Sequence, residues 1–148
     1  MNKDMALRWI AKGDRDFSLA SQLDETFSDM AAYHYQQAAE KYLKGFLAFH
    51  QIGLKKTHNI GTLALQASNI DPAFTRLVLI ADVDMLTEFA TLFRYPNEEE
   101  TDFPDPLELT HAQKFCQAAR QLVAERVTGE VVAPSPSQDL KPGAPQSS

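Results

Sequence analysis

The sequence predicts an all-α fold, an antiparallel up-and-down bundle of four to five helices. Several stretches place apolar residues at the helical period of about 3.6, and glycine, proline or Asn/Asp breaks separate these stretches. No stretch shows the alternation typical of a half-buried strand, and no Asn-Gly hairpin signal occurs. Helices of this length joined by short breaks are typical of a helical bundle.

The first half of the chain predicts two long helices. The first covers Asp4 to Asp24, and the second covers Met30 to His50, with Ser28 or Asp29 as N-cap and Gly53 as the stop signal. We expect each helix to bury one stripe of side chains. The first stripe is Ala6, Trp9, Ile10, Gly13, Phe17 and Ala20, and the second is Tyr35, Ala38, Ala39, Tyr42, Phe46 and Leu47.

The second half predicts a short helix, Ile60 to Ala67, and two long ones. Ala73 to Phe93 is predicted as one helix, with Asp71 as N-cap and Pro72 in its first turn. Its consecutive apolar residues indicate a helix that is central in the bundle or shared with another subunit, which suggests a homodimer. The last helix is predicted from Leu107 to Thr128, burying Ala112, Phe115, Cys116, Ala119, Leu122 and Val123.

Composition predicts one domain over residues 1–130 and a disordered Pro/Ser-rich tail over residues 131–148. The chain has no apolar run long enough to span a bilayer and no apolar signal-peptide segment. Its single cysteine fits a reducing compartment, so a cytoplasmic location is expected. The net charge of −6 argues against general nucleic-acid packaging and leaves room only for a local cationic surface.

Three motifs occur in one order along the chain. They are the stretch from Tyr33 to Lys44 (YHYQQAAEKYLK), the stretch from Lys56 to Ile60 (KTHNI) and the stretch from Phe93 to Pro96 (FRYP). Together with Asp16, Phe17 and Ala20 on the first helix, they resemble the HEPN domain family over roughly Ala6 to Val127.

The resemblance implies a helical bundle that is commonly dimeric and often paired with a minimal nucleotidyltransferase, as partner or toxin. Many members of the family are metal-independent ribonucleases with an arginine followed four to six residues later by histidine. Arg94 stands at the arginine position, but the residues beyond it are Glu98, Glu99 and Glu100. The standard ribonuclease motif is therefore absent, and the acidic run would repel a phosphate.

The candidate ligand-binding residues are Gln37, Lys41, Lys44, His58 and Arg94. His34, Gln37, Lys41 and Lys44 share one face of the second helix, and Lys55, Lys56 and His58 follow in the next loop. These cations would attract phosphate. The alternative interpretation is a solvated face with an ordinary Glu40–Lys44 pair, a His58 that caps or ties its loop, and an Arg94 that closes its helix.

Together with the resemblance, these residues predict a nucleotide- or RNA-associated HEPN-like binding or interaction module. The resemblance implies that its partner is a minimal nucleotidyltransferase in a toxin–antitoxin-type system. One alternative is a ribonuclease with a non-standard site, in which Arg94 supplies the cation and His58 the missing histidine. Another is a structural partner without ligand. The four histidines form no zinc pattern, Cys116 is assigned to the core, and neither a metal nor a cofactor is expected.

Overall fold

The computed structural model describes residues 2–53, 57–79, 83–89, 96 and 103–129, and these residues are helical or lie in turns and loops, without a strand. The helices are α1 (Lys3–Leu23), α2 (Ser28–Phe49), α3 (Ile60–Ile70), α4 (Thr75–Val78), α5 (Val83–Glu88) and α6 (Pro106–Thr128), with a 3₁₀ turn at Pro72–Phe74. None of the helices in this part of the chain combines the length and hydrophobicity that a bilayer span requires. The all-α prediction is confirmed.

Small residues allow α1 and α2 to form a closely packed hairpin. Ala6, Ala20, Ala31, Ala38 and Ala39 are fully buried in the shared core. Gly13 lies under the ring of Tyr42, where a Cβ would come within 2.7 Å of a ring carbon. A larger side chain at these positions would push the helices apart, because protein interiors are close-packed.

The long elements alternate in direction. Asn2 donates its backbone N–H to the Phe49 carbonyl, so the start of α1 meets the end of α2. Phe74 packs on Phe46 near that end, whereas Thr87 accepts a hydrogen bond from the N–H of Ile60 at the start of α3. The segment 72–89 therefore runs back along the bundle. The chain is thus an up-and-down bundle with α3 set into the connection after α2.

The predicted single helix from Ala73 to Phe93 is wrong in the residues that the structure describes, 73–79 and 83–89, whereas 80–82 and 90–93 lie outside them. The chain leaves the helical path at Leu79, which is 76% exposed, and forms α4 and α5 instead. Leu77 of α4 is buried together with Phe74, which directly precedes this helix. Leu86 of α5 is buried together with Phe89, which directly follows that helix. At about 100° per residue a straight helix would point these two pairs roughly 120° apart. The interruption lets both pairs enter the core.

The predicted cap Asp71 is confirmed, whereas α2 ends at Phe49 with His50 as its C-cap and not at the predicted glycine stop, Gly53. Asp71 caps the 3₁₀ turn, and Asp105 forms a capping box with Glu108 at the start of α6. The predicted cap of α2 by Ser28 or Asp29 is wrong, because α2 begins at Ser28 without a side-chain cap. Lys55, Lys56, Arg94 and the tail 131–148 lie outside the described residues.

Candidate functional site

A buried polar network follows one line of α2. Lys44 Nζ lies 2.8 Å from Glu40 Oε2, and the side chains are only 10% and 5% exposed. His58 Nδ1 lies 2.9 Å from Glu40 Oε1, and Gln36 Nε2 donates to the same oxygen at 3.2 Å. Gln36 also donates to the His58 carbonyl at 3.3 Å. Glu40 therefore compensates a buried ammonium and holds the loop before α3 against α2.

His58 points its other ring nitrogen away from this network. Its Nδ1 faces the Glu40 carboxylate, which selects the tautomer with a proton on Nδ1 and leaves Nε2 as an acceptor. The side chain is 69% exposed. A carboxylate-oriented imidazole of this kind is chemically suited to accept a proton from a ligand, and it also ties the loop in place.

A second polar cluster joins α2 to α1 through Asp16. The carboxylate of Asp16 pairs with His34 Nδ1 at 2.8 Å and accepts a hydrogen bond from Lys41 Nζ. Gln37 lies between the two clusters and donates to Gln36 Oε1 at 2.8 Å. Asp16 thus fixes the Lys41 ammonium at the groove between the two helices.

A third cluster joins α1, α2 and α6 at Asp14. Tyr42 donates its hydroxyl to Asp14 Oδ1 at 2.6 Å, and Arg120 donates to both carboxylate oxygens at 2.7 and 3.1 Å. Burial raises the pKa of Tyr42, with the Asp14 charge adding to it, and the hydrogen bond to Asp14 raises the pKa of Arg120. All these polar atoms are satisfied by one another, so we assign this cluster to the packing of the bundle.

A cleft of about 430 Å³ opens between α1 and α2. Its walls are Met5, Arg8, Trp9, Lys12 and Lys41. The α1 residues follow the i, i+3, i+4, i+7 pattern that places side chains on one helix face. Arg8 and Lys12 form no ion pair with any described residue. The cleft therefore combines an aromatic ring with two uncompensated cations and the Lys41 ammonium.

A second cleft, of about 390 Å³, lies at the C-terminal end of α2. Its lining includes Phe49, His50 and Arg126, but Arg126 pairs with Asp71 at 2.5 Å. The backbone N–H of Ala73, followed by Arg126, lowers the pKa of Asp71. The Arg126 cation of this cleft is thus already compensated by the Asp71 carboxylate.

The described residues contain no cluster of three His, Cys, Asp or Glu side chains able to hold a metal ion. Cys116 is fully buried and its thiol donates to the Tyr35 carbonyl at 3.1 Å. Burial raises the pKa of the thiol, so the reactive thiolate is disfavoured.

The helical bundle agrees with the family that the sequence motifs resemble. A family model for the HEPN domain matches residues 6–129. The chain belongs to the HEPN domain family. The crystal structure of an archaeal HEPN homologue matches with a TM-score of 0.64 and 22% identity, over 84% of this chain and 98% of that chain. That likeness concerns the fold alone. No curated protein sequence matches the chain significantly.

The four predicted site residues that the structure describes in this HEPN chain do not share one cleft. Lys41 lines the α1/α2 cleft, whereas Gln37, four residues before it on α2, does not line the cleft and donates to Gln36. Lys44 and His58 belong to the Glu40 network, where the Lys44 ammonium is buried rather than part of a solvated face. The Glu40–Lys44 pair itself is confirmed. Arg94 lies outside the described residues, so its role stays a prediction.

Sequence reasoning missed the α1 half of the cleft. Trp9 was assigned to the buried stripe of the first helix, but in this HEPN domain it is only partly buried and forms a cleft wall. The available signal was the row Arg8, Lys12 and Arg15, which are spaced by four and three residues on an acidic chain. Such spacing places three cations on one helix face.

Proposed function

We propose that this HEPN domain binds a phosphate-bearing ligand, a nucleotide or RNA, without cleaving it. The observation that carries the proposal is the α1/α2 cleft, in which Lys41 stands opposite Arg8 and Lys12. Lysine and arginine side chains supply the charge and the N–H donors that phosphate oxygens need. The net charge of the chain is −6, so attraction of a phosphate depends on a local group of cations such as this one.

The Lys41 ammonium suits this role better than that of Lys44. Lys41 is held by Asp16 at the edge of the cleft and remains partly exposed, so a phosphate reaches it without breaking the core. Contact with Lys44 would require the buried pair with Glu40 to open, which is costly for two charges with little access to water. We therefore take Lys44 as structural and keep Gln37 and Lys41 as ligand-binding candidates.

Binding without cleavage is supported by the residues that follow Arg94. Glu98, Glu99 and Glu100 stand where the nucleases of the family carry histidine. Carboxylates there supply neither a base near neutral pKa nor a cation for the transition state.

A ribonuclease with a non-standard site, in which Arg94 supplies the cation and His58 the base, is the second candidate, because Glu40 orients the exposed His58 ring and no described residue bonds its Nε2. RNA cleavage by the purified protein that persists in chelator and disappears in His58→Ala would establish this alternative. Glu40→Gln, which keeps an acceptor for Nδ1, would then retain part of the activity. Absence of cleavage in the wild-type chain would remove it.

The partner of the proposed module is a minimal nucleotidyltransferase in a toxin–antitoxin-type system, with a homodimer formed through the segment 73–93. Support comes from family membership and, for the dimer, from the exposed side chain of Leu79 in this segment. Co-purification with a co-expressed nucleotidyltransferase from the same operon, together with the mass of the free protein in solution, tests both points. If that partner binds and no nucleotide or RNA does, the purely structural role replaces the binding module.

Equilibrium binding of ATP and of a short single-stranded RNA tests the proposal. We expect the double variant Arg8→Ala, Lys12→Ala to bind both ATP and RNA more weakly. The slope of log K against log salt concentration should become less steep by about 0.7 for each phosphate contact that is lost. Lys114→Ala removes an exposed lysine of α6 that lies outside the cleft, and it should leave binding unchanged. Absence of binding at millimolar ATP and RNA would refute the proposal.

A further inference from the structure

Trp9 is the only tryptophan of the chain, and it occupies the centre of the α1 row that forms the cleft. Arg8 precedes it directly, Met5 lies one turn before it and Lys12 lies three residues after it. One aromatic ring is thus flanked by two cations that no described residue neutralises. A tryptophan needed only for the core would not require this setting.

Gly45 on α2 holds Trp9 at the cleft wall. A Cβ on Gly45 would come within 3.1 Å of Trp9 Cβ and 3.3 Å of the Ala6 carbonyl oxygen. The absence of a side chain there lets α1 approach α2, so the base of the Trp9 side chain is packed while part of the residue stays accessible. A side chain anchored in this way loses little conformational freedom when a ligand binds.

We infer that the cleft binds a nucleobase against Trp9 while the attached phosphates contact Arg8 and Lys12. This inference rests on the proposed function and adds the base-binding element to it. Aromatic side chains stack with every base, and a neighbouring cationic groove follows the phosphates. The volume of about 430 Å³ is in the range of small-ligand pockets, so the cleft holds one nucleotide unit. That unit is either a free nucleotide or one residue of a single-stranded RNA.

The helix geometry matches such a ligand. Arg8 and Lys12 are one turn apart, about 6 Å along the axis of α1, and Trp9 lies between them along the chain. Lys41 reaches the cleft from α2 and supplies a third donor on the opposite wall. A base held at Trp9 therefore places its phosphates within reach of cations on both helices.

The fluorescence of Trp9 provides a direct test, since no other tryptophan contributes. With the full chain, we expect ATP and a short oligouridylate to quench Trp9 emission. Inorganic tripolyphosphate, which has no base, should compete for the cleft without comparable quenching. Tighter binding of the oligouridylate than of ATP would identify RNA as the source of the nucleotide unit, and the reverse would identify the free nucleotide.

Matched variants separate the two levels of the proposal, with affinities measured by calorimetry. Trp9→Leu should lower the affinity for ATP by about 5-fold to 100-fold and change the affinity for tripolyphosphate by less than about 2-fold. Trp9→Phe keeps a ring and should retain most of the affinity, and circular dichroism checks that each variant is helical. The double variant Arg8→Ala, Lys12→Ala should lower the affinity for both ATP and tripolyphosphate.

Two outcomes are distinguishable. In the first outcome, ATP and tripolyphosphate both bind, but ATP does not quench Trp9 emission and the Trp9→Leu variant binds ATP as tightly as the wild type. The stacking inference is then overturned and phosphate binding stands. If ATP, tripolyphosphate and RNA all fail to bind the wild-type chain at millimolar concentration, the proposed function fails with it. Quenching by ATP in the wild-type chain upholds the inference even where Trp9→Leu does not fold.

Discussion

Replacing Glu40 should destabilise the bundle more than any other single charge removal on α2. Glu40 accepts hydrogen bonds from Lys44, His58 and Gln36, and its side chain is 5% exposed. Glu40→Leu keeps a comparable volume but leaves the Lys44 ammonium buried with no counter-charge. The Coulomb attraction that offset its loss of hydration is then gone.

The burial of the pair sets the magnitude. Removing one partner of a buried ion pair costs about 3–5 kcal/mol, and Lys44 at 10% exposure lies close to that limit. Lys44→Met should cost less, about 1–3 kcal/mol, because Glu40 still accepts from His58 and Gln36. In the double variant neither charge remains, so we expect a stability within about 1–2 kcal/mol of the wild type.

Urea unfolding of the four proteins in this mutant cycle measures the coupling between Glu40 and Lys44. With a slope of about 2 kcal/mol/M, Glu40→Leu should lower the midpoint by roughly 2 M. Lys114→Met is the control for Lys44→Met, because it makes the same substitution at an exposed position of α6. Its free energy of unfolding should stay within about 0.5 kcal/mol of the wild type. A cost below about 1 kcal/mol for Glu40→Leu, or strictly additive effects in the double variant, would refute the buried pair.

The structure makes further predictions for the packing of α1, α2 and α6. Gly13→Ala should cost about 1–3 kcal/mol in urea unfolding, because its Cβ would lie 2.7 Å from the Tyr42 ring. Gly53→Ala, with no atom within 4 Å of its Cβ, is the matched control and should be close to neutral. The buried Cys116, whose pKa is raised, should react with a thiol reagent only after unfolding; rapid reaction of the native chain would contradict its burial. Burial and Asp14 raise the pKa of Tyr42 above its unfolded value of about 10, so this group favours the native state below that pH and loses the advantage as pH rises above it. Native wild type and Tyr42→Phe should therefore show equal tyrosinate absorbance just above pH 10, and a larger wild-type signal would contradict the Asp14–Tyr42 contact.

The long amphipathic helices were predictable because their burial follows from local spacing. The predicted stripe of α2 is buried at every position from Tyr35 to Leu47 that was named, and α6 begins one residue before its predicted start. The break at Leu79 was not predictable, because an uninterrupted apolar run satisfies a helix and a pair of short helices equally well. Which of the two structures forms depends on the core residues against which the segment packs, and local spacing does not reveal them.

The site was harder to predict than the fold, since polar spacing on a helix does not reveal what the helix packs against. Gln36, Glu40 and Lys44 follow one line of α2, and such residues usually face solvent. Here the loop before α3 covers that line, so its charges neutralise each other in the interior. Lys41, one residue along, faces α1 and remains accessible.

On the proposed function, the distribution of charge explains how an acidic chain attracts a polyanion. Arg8, Lys12 and Lys41 line one cleft, whereas Glu98 to Glu100 follow Arg94 in the sequence. At physiological salt the Debye length is about 8 Å, so a phosphate at the cleft responds mainly to the charges that line it. The net charge of −6 then limits binding elsewhere on the surface and favours a single, salt-sensitive contact. A cation-lined cleft, in a chain whose acidic run stands in place of the family's catalytic histidine, fits a HEPN domain that holds its ligand intact.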